Sequence, residues 1–102
     1  MTKRYRVTPR ALQDLLAIGR YTEAAWGKAK RDSYLRQIER RFVWLSQNPA
    51  LGRRRDEIGQ GYRCFPEGQH LVFYLVAANE IQIIGIPHQS MDISGFFKSE
   101  SI

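Results

Sequence analysis

Two histidines and one arginine carry the acid–base equipment of this sequence. His88 closes the apolar run at residues 81–88, His70 opens the run at residues 70–76, and Arg63 lies inside the run at residues 62–66. Cleavage of RNA without a metal requires a base for the 2′-hydroxyl, an acid for the departing 5′-oxygen and cations around the phosphate. His88 has the residue type for proton transfer and Arg63 for the phosphate. His70 follows a turn and reads as a partly exposed strand residue. Neither histidine has Asp, Glu or Cys at a metal-ligand spacing, so no metal site is expected, and no cofactor either. Arg63 sits among apolar neighbours, where a charge needs a specific partner. Glu67 or Asp56 would supply one internally, and a carboxylate of another protein would supply one from outside.

The second chemical feature is positive charge. Sixteen Lys and Arg against ten Asp and Glu leave a net charge of +6 on 102 residues. Such an excess steers acidic proteins or nucleic acid toward the surface. Three arginines stand side by side at Arg53, Arg54 and Arg55, within the polar stretch GRRRDEIGQG at residues 52–61, which reads as a solvated loop or a contact surface. No combination of aromatic and basic residues marks an RNA-binding platform. The lone cysteine, Cys64, rules out an internal disulfide and a multi-cysteine zinc site, and reads as a small buried residue. The N-terminus does not look like a signal peptide, so a cytoplasmic location is expected. No apolar run approaches the roughly 20 residues of a spanning helix, so no membrane crossing is expected.

The elements that must position these residues follow from periodicity. Residues 62–66, 70–76 and 81–88 read as three strands of an antiparallel meander, joined by Glu67-Gly68 and Ala77-Ala78-Asn79. The middle strand, HLVFYLV, is apolar on both faces and so needs cover on both. The third strand places Ile81 and Ile83 on one side and Ile84 and Ile86 on the other. Residues 3–7 alternate as a short N-terminal strand. Thr8-Pro9 then starts a helix whose stripe includes Ala11, Leu15, Ile18, Thr22 and Ala25, with Tyr21 and Trp26 expected to pack in the core. Gly27 ends it, a second helix covers residues 28–47, and Asn48-Pro49 stops the second. The expected fold is one small α+β domain, an antiparallel sheet of the N-terminal strand plus the meander, packed against a two-helix hairpin. A hairpin about 20 Å wide covers one face of such a sheet, which leaves the other partly open for a partner or for self-association. Residues 91–97, MDISGFF, form a short apolar tail ahead of the polar end at residues 98–102.

Read in order, these residues carry a resemblance. The first-helix pattern ending in Tyr21-Thr22 and Trp26-Gly27 is followed by Asn48-Pro49-Ala50-Leu51-Gly52-Arg53 and Arg55-Asp56-Glu57-Ile58. Then come Gly61-Tyr62-Arg63-Cys64-Phe65-Pro66, Gly68-Gln69-His70-Leu71-Val72-Phe73-Tyr74 and His88-Gln89-Ser90-Met91-Asp92. Over nearly its whole length the chain resembles the ParE branch of the RelE/ParE toxin superfamily, the toxin halves of bacterial type II toxin–antitoxin pairs.

The resemblance implies a toxin that inhibits DNA gyrase, so that cleaved DNA complexes persist. It further implies neutralisation by a ParD-like antitoxin whose acidic C-terminal segment wraps the toxin. Under it no residue is catalytic, His88 has a structural or interface role, and sequence-specific nucleic-acid binding by the toxin alone is not expected. Gyrase contact is assigned to Arg53, Arg54, Arg55, Met91, Asp92, Phe96 and Phe97. Antitoxin contact is assigned to Leu12, Leu16, Arg63, Phe73, Ile84 and Ile86. The superfamily's other branch, similar to RelE, cleaves messenger RNA on the ribosome, and under that alternative His88 and Arg63 become catalytic. That branch typically places a tyrosine or another catalytic residue near the end of the last strand, where this chain has His88-Gln89-Ser90-Met91-Asp92.

Overall fold

Helix α1 (Pro9–Trp26) begins where Thr8 and Pro9 place it in the computed structural model, which describes residues 4–98. Thr8 stays extended at the cap, its Oγ1 accepting from the Ala11 N–H at 3.4 Å and donating to the Ile83 carbonyl at 2.8 Å. The cap thereby ties the helix to the sheet. Gly27 has φ 93, a value that L side chains disfavour, and its N–H reaches the Glu23 carbonyl at 2.8 Å. Helix α2 (Lys28–Gln47) starts on the next residue, so the two helices fold back as a hairpin. Ala11 and Ile18 from α1 and Ile38, Phe42 and Leu45 from α2 bury themselves against Val72, Tyr74, Ile81 and Ile83 of the sheet.

The sheet has five strands: β1 (Tyr5–Val7), β2 (Arg53–Arg54), β3 (Arg63–Glu67), β4 (His70–Val76) and β5 (Ile81–Gly85). Their spatial order is β1-β5-β4-β3-β2. The meander β3-β4-β5 is antiparallel, and β4 occupies the residues read for it. The sheet as a whole is mixed, however, because β1 runs parallel to β5 with Tyr5 opposite Ile81 and Val7 opposite Ile83. Alternation sorts the faces of a strand but carries no direction, and the long connection between these two strands permits either. Strand β2 arises from what reads as loop: Arg53 pairs with Cys64 and Arg54 with Arg63.

The end of the meander also differs from expectation. Register shifts between Phe73 and Tyr74, so Tyr74 faces Ile83 while Phe73 faces Gly85. The extra residue reverses the parity beyond it and turns Ile86 into the core beside Ile81 and Ile83, away from the face expected for it. Pairing then narrows to one bridge between His70 and His88, with the Leu71 N–H on the Pro87 carbonyl at 2.9 Å.

The face expected to be open is partly covered by helix α3 (Ile93–Lys98). Phe97 packs edge-on against Phe73 at 5.0 Å and Tyr62 at 5.3 Å. Arg10 of α1 holds the tail from the side, its guanidinium 4.1 Å from the Phe96 ring and its Nη2 donating to the Phe96 carbonyl at 2.8 Å. Gly85 makes this approach possible, since a Cβ there would lie 3.0 Å from both phenylalanine rings. Lys3 of the expected first strand, and residues 99–102 of the polar end, lie outside the described residues.

Two buried or half-buried tyrosines fasten the turns. The hydroxyl of the fully buried Tyr74 donates to the Pro49 carbonyl and accepts from the Gly52 N–H, both at 2.8 Å. This joins the sheet to the turn at Pro49–Leu51 that follows α2. The Tyr34 hydroxyl accepts from the Gln69 N–H at 3.0 Å, beneath the β3–β4 hairpin, and lies 2.7 Å from Nδ1 of His70. Burial raises the pKa of Tyr34, so the phenol keeps its proton. Burial, helped by nearby His88, lowers His70 from 6.5 to about 4, so its ring is neutral above that pH; the Tyr34 hydroxyl also has the Glu67 carbonyl as an acceptor at 3.3 Å.

Tyr74→Phe leaves the Gly52 donor and the Pro49 acceptor without their partner, and is expected to lower unfolding stability by about 1–3 kcal/mol. Urea denaturation measures it; a loss under about 0.5 kcal/mol would show that the turn is held by other contacts. His70 gives a pH dependence of known sign. Between pH 6.5 and about 4 the unfolded chain binds a proton at this site that the folded chain refuses, so stability falls as pH drops through that window. Wild type should lose more stability than His70→Gln over the window, and parallel curves for the two proteins would contradict this account.

Candidate functional site

The three candidates for acid–base chemistry do not converge. His70 and His88 meet edge-on with ring centroids 5.3 Å apart at one end of the sheet. Nδ1 of His88 accepts from the Ser90 N–H at 3.1 Å and lies 2.8 Å from Ser90 Oγ. Arg63 lies opposite Tyr74, four residues along β4 from His70, which is about 13 Å of strand. Its Nη1 donates to the carbonyls of Gly52 at 2.8 Å and Ala50 at 3.3 Å. The internal carboxylates expected for it are otherwise engaged. Glu67 takes Arg41 at 2.7 Å, and Asp56 takes Arg54 and the Gly61 N–H. Among the described residues, no group of three or more His, Cys, Asp or Glu is placed to hold a metal ion, and no helix is long and apolar enough to cross a membrane.

Of the residues assigned to gyrase contact, Arg55 and Phe97 come together on Phe73, with Phe96 packed on Phe97. The Arg55 guanidinium lies 5.6 Å from the Phe73 ring and 3.8 Å from Cys64 Sγ, while Phe97 packs on the same ring from the tail. The arginines are only partly free. Arg54 pairs with Asp56 at 3.0 Å and Arg55 with Glu57 at 2.6 Å; Arg53 is exposed on β2. The Gly61 N–H, then Arg54, holds Asp56 below the ordinary carboxylate range, and Arg55 does the same for Glu57. Met91 and Asp92 are exposed just ahead of α3, and Phe96 and Phe97 are half-buried beneath it.

Of the residues assigned to antitoxin contact, Leu12 and Leu16 are 49% and 48% exposed on the outer flank of α1. Leu16 lines a groove of about 300 Å³ between the helices, together with Leu15, Leu35 and Phe42. Ile84 and Arg63 are half-buried. Phe73 and Ile86, at 0% and 2% exposure, offer no surface in this conformation. The covering tail hides the first and the shift in register hides the second.

Sequence reasoning missed the largest exposed rings. Tyr21 and Trp26, expected in the core, are each 72% exposed. All residues 23–30 are exposed, so the tip of the helix hairpin extends past the layer that could bury it. Tyr21 forms one wall of a second groove, about 400 Å³, floored by Ile18, Ile86 and Pro87 and rimmed by His88 and Met91. Asp14 anchors its edge by accepting from the Ile86 N–H at 2.9 Å. The available signal was the change from apolar to polar and small residues around Trp26, which marks the end of packing as well as the end of the helix.

These features can be set beside known proteins. A family described as "ParE toxin of type II toxin-antitoxin system, parDE" matches residues 5–93. Toxin ParE1 of Caulobacter vibrioides is 34% identical over 90 residues, spanning 88% of this chain and 93% of that protein. Toxin ParE1 of Mycobacterium tuberculosis is 35% identical over 94 residues, spanning 91% and 96%. Among solved structures, a chain of the "Chromosomal ParDE TA system from P. aeruginosa" shares the fold with a TM-score of 0.71 at 24% identity, spanning 83% of this chain and 94% of that one. A match this long, supported by two relatives above 30% identity along almost the whole sequence, means that the chain belongs to the ParE toxin family of type II toxin–antitoxin systems.

Proposed function

We propose that this ParE-family toxin acts by binding DNA gyrase rather than by catalysis, and that a ParD-like antitoxin with an acidic C-terminal segment neutralises it in the cytoplasm. The observation that carries the reading is the separation of the acid–base residues. A phosphodiester cannot lie against His88 and Arg63 together when about 13 Å of strand divides them and the arginine is engaged by two carbonyls. The same chain gathers Arg55, Phe73 and Phe97 into one basic and aromatic cluster, with the exposed Arg53 in register with Cys64 and Phe73 beside it. Arginine is among the residues enriched at protein interfaces, and here it stands at the exposed border of a packed aromatic cluster.

The partner sites separate by chemistry. Gyrase contact is assigned to the sheet face that α3 covers, through Arg53 and Arg55, and to Met91 and Asp92 just ahead of α3; Arg54, in register with Arg63 and Tyr74, stands on the other face. Antitoxin contact is assigned to α1, where Leu12 is exposed and Leu16 borders the apolar groove between the helices. A helical or extended segment with apolar anchors fits that groove, and Arg20 lines the adjoining pocket that shares Leu15, Leu16 and Leu35.

Purified toxin, free of antitoxin, is expected to make gyrase accumulate cleaved DNA while leaving ribosome-programmed messenger RNA intact. Cut RNA with unaffected gyrase would overturn the reading and return His88 and Arg63 to catalytic candidacy. Arg53→Glu with Met91→Glu should weaken gyrase inhibition at least about tenfold, the loss of one interface anchor. Leu16→Asp should weaken antitoxin binding by a similar factor in a pull-down titration while gyrase inhibition persists. Equal loss of both activities in the Leu16 variant would merge the two surfaces into one.

A further inference from the structure

Helix α2 carries Lys28, Lys30, Arg31, Arg36, Arg40 and Arg41 against Asp32 and Glu39, six cations against two acids, so +4 of the chain's +6 lies on one element. Internal pairs occupy part of it. Arg31 is held by Glu23 at 2.6 Å and Asp32 at 2.9 Å, and Arg41 by Glu67 at 2.7 Å. Lys30, Arg36 and Arg40 are exposed, and among the described residues none of the three has a carboxylate at ion-pair distance. Arg36 meets Asp32 only through longer-range attraction.

These charges share a direction. Arg36 and Arg40 stand one turn apart, about 6 Å along the axis, on the side of α2 opposite the buried Ile38, Phe42 and Leu45. Lys30 flanks them. Ser33, Gln37 and Gln47 fill the neighbouring positions with hydrogen-bonding groups. The aromatic ring bordering this face, Trp44, is half-buried, with Arg41 4.6 Å from its centre and Phe65 packed on it at 5.0 Å.

We propose that this outer face of α2 binds the phosphate backbone of duplex DNA without reading sequence, Arg36 and Arg40 contacting successive phosphates and Lys30 adding to the field. Guanidinium groups on a rigid helix suit phosphate oxygens, and counterion release supplies the affinity. An acidic peptide is disfavoured here because a peptide needs apolar anchors, and none of the exposed large apolar side chains lies on α2. Of the exposed large apolar side chains, Leu12, Leu16, Tyr21 and Trp26 belong to α1, and Leu51, Val76 and Met91 lie outside both long helices. The face is therefore a third surface, beyond those assigned to gyrase and antitoxin. It acts on naked DNA, so its test is separate from that of gyrase inhibition.

The experiment is fluorescence anisotropy of a labelled random-sequence duplex against the full chain over a salt series beginning at about 50 mM. Two variants are compared, Arg40→Glu on α2 and Arg4→Glu ahead of β1, both exposed and both changing the net charge equally. Wild type is expected to bind with a slope of log K on log salt of about −2 to −3, the value for two or three phosphate contacts. Arg40→Glu should reduce that slope by about 1 and the affinity about tenfold, while Arg4→Glu stays within about twofold of wild type. Equal losses in both variants would reduce the effect to net charge and overturn the site. So would absence of DNA binding, or Arg40-dependent binding of polyglutamate with none of DNA, which would make the face a peptide site instead.

Discussion

The hydroxyl of Tyr74 is the point through which the two layers of this protein are joined. A polar atom at the centre of a small core is costly unless both its donor and its acceptor capacity are used, and here the Pro49 carbonyl and the Gly52 N–H use them. The ring packs with Val72, Ile81 and Ile83, while the oxygen holds the turn that leads from α2 into β2. Gly52 is required because a Cβ there would overlap the Tyr74 hydroxyl. The device recurs: Tyr34 lies against Gly68 under the β3–β4 hairpin, and Tyr62 against Gly59 in the arginine loop. Each turn is a glycine laid on a tyrosine, which lets a short chain keep polar turns tight without long loops.

This pattern also bears on the composition of the outer surfaces. Fastening the turns from below leaves the outer surfaces free of structural duty, and the three of them differ in chemistry. One flank of α1 is apolar, the outer face of α2 is cationic, and the far face of the sheet is aromatic under α3 with arginine at its border. Arg10 connects the first and the last of these, since it belongs to α1 and grips Phe96. A partner that moved α1 sideways would therefore disturb the tail.

Much of the fold was legible because local signals agreed with one another. Thr8-Pro9 and Gly27 bounded the first helix, and HLVFYLV could be placed only as a central strand covered on both faces. What escaped was what such signals do not encode. Alternation gives the faces of β1 but not its direction, and Arg53-Arg54 joins the sheet through backbone bonds to which side-chain type is blind. Ile86 was assigned to the wrong face because one extra residue in β5 inverts every parity after it. At the candidate site, the arginine loop and the tail were found from composition, and their meeting on Phe73 was not, because that contact joins residues far apart in sequence. Tyr21 and Trp26 were misplaced because a helical stripe shows which side is apolar and not where the covering layer ends.

The parallel pairing of β1 with β5 sets the moment at which this molecule comes into being. Tyr5 is synthesised 76 residues ahead of Ile81, its neighbour in the sheet. At about 5–20 residues per second, the first strand waits roughly 4–15 s for its partner. During that interval the helix hairpin can form, but the sheet edge it rests on cannot, and long-range pairing of this kind is the slow step in assembly. The edge strand therefore closes only after the helix hairpin and strands β3 and β4 have been made. For a member of a toxin family, this makes translation itself an interval in which the surfaces of the finished fold are not yet assembled.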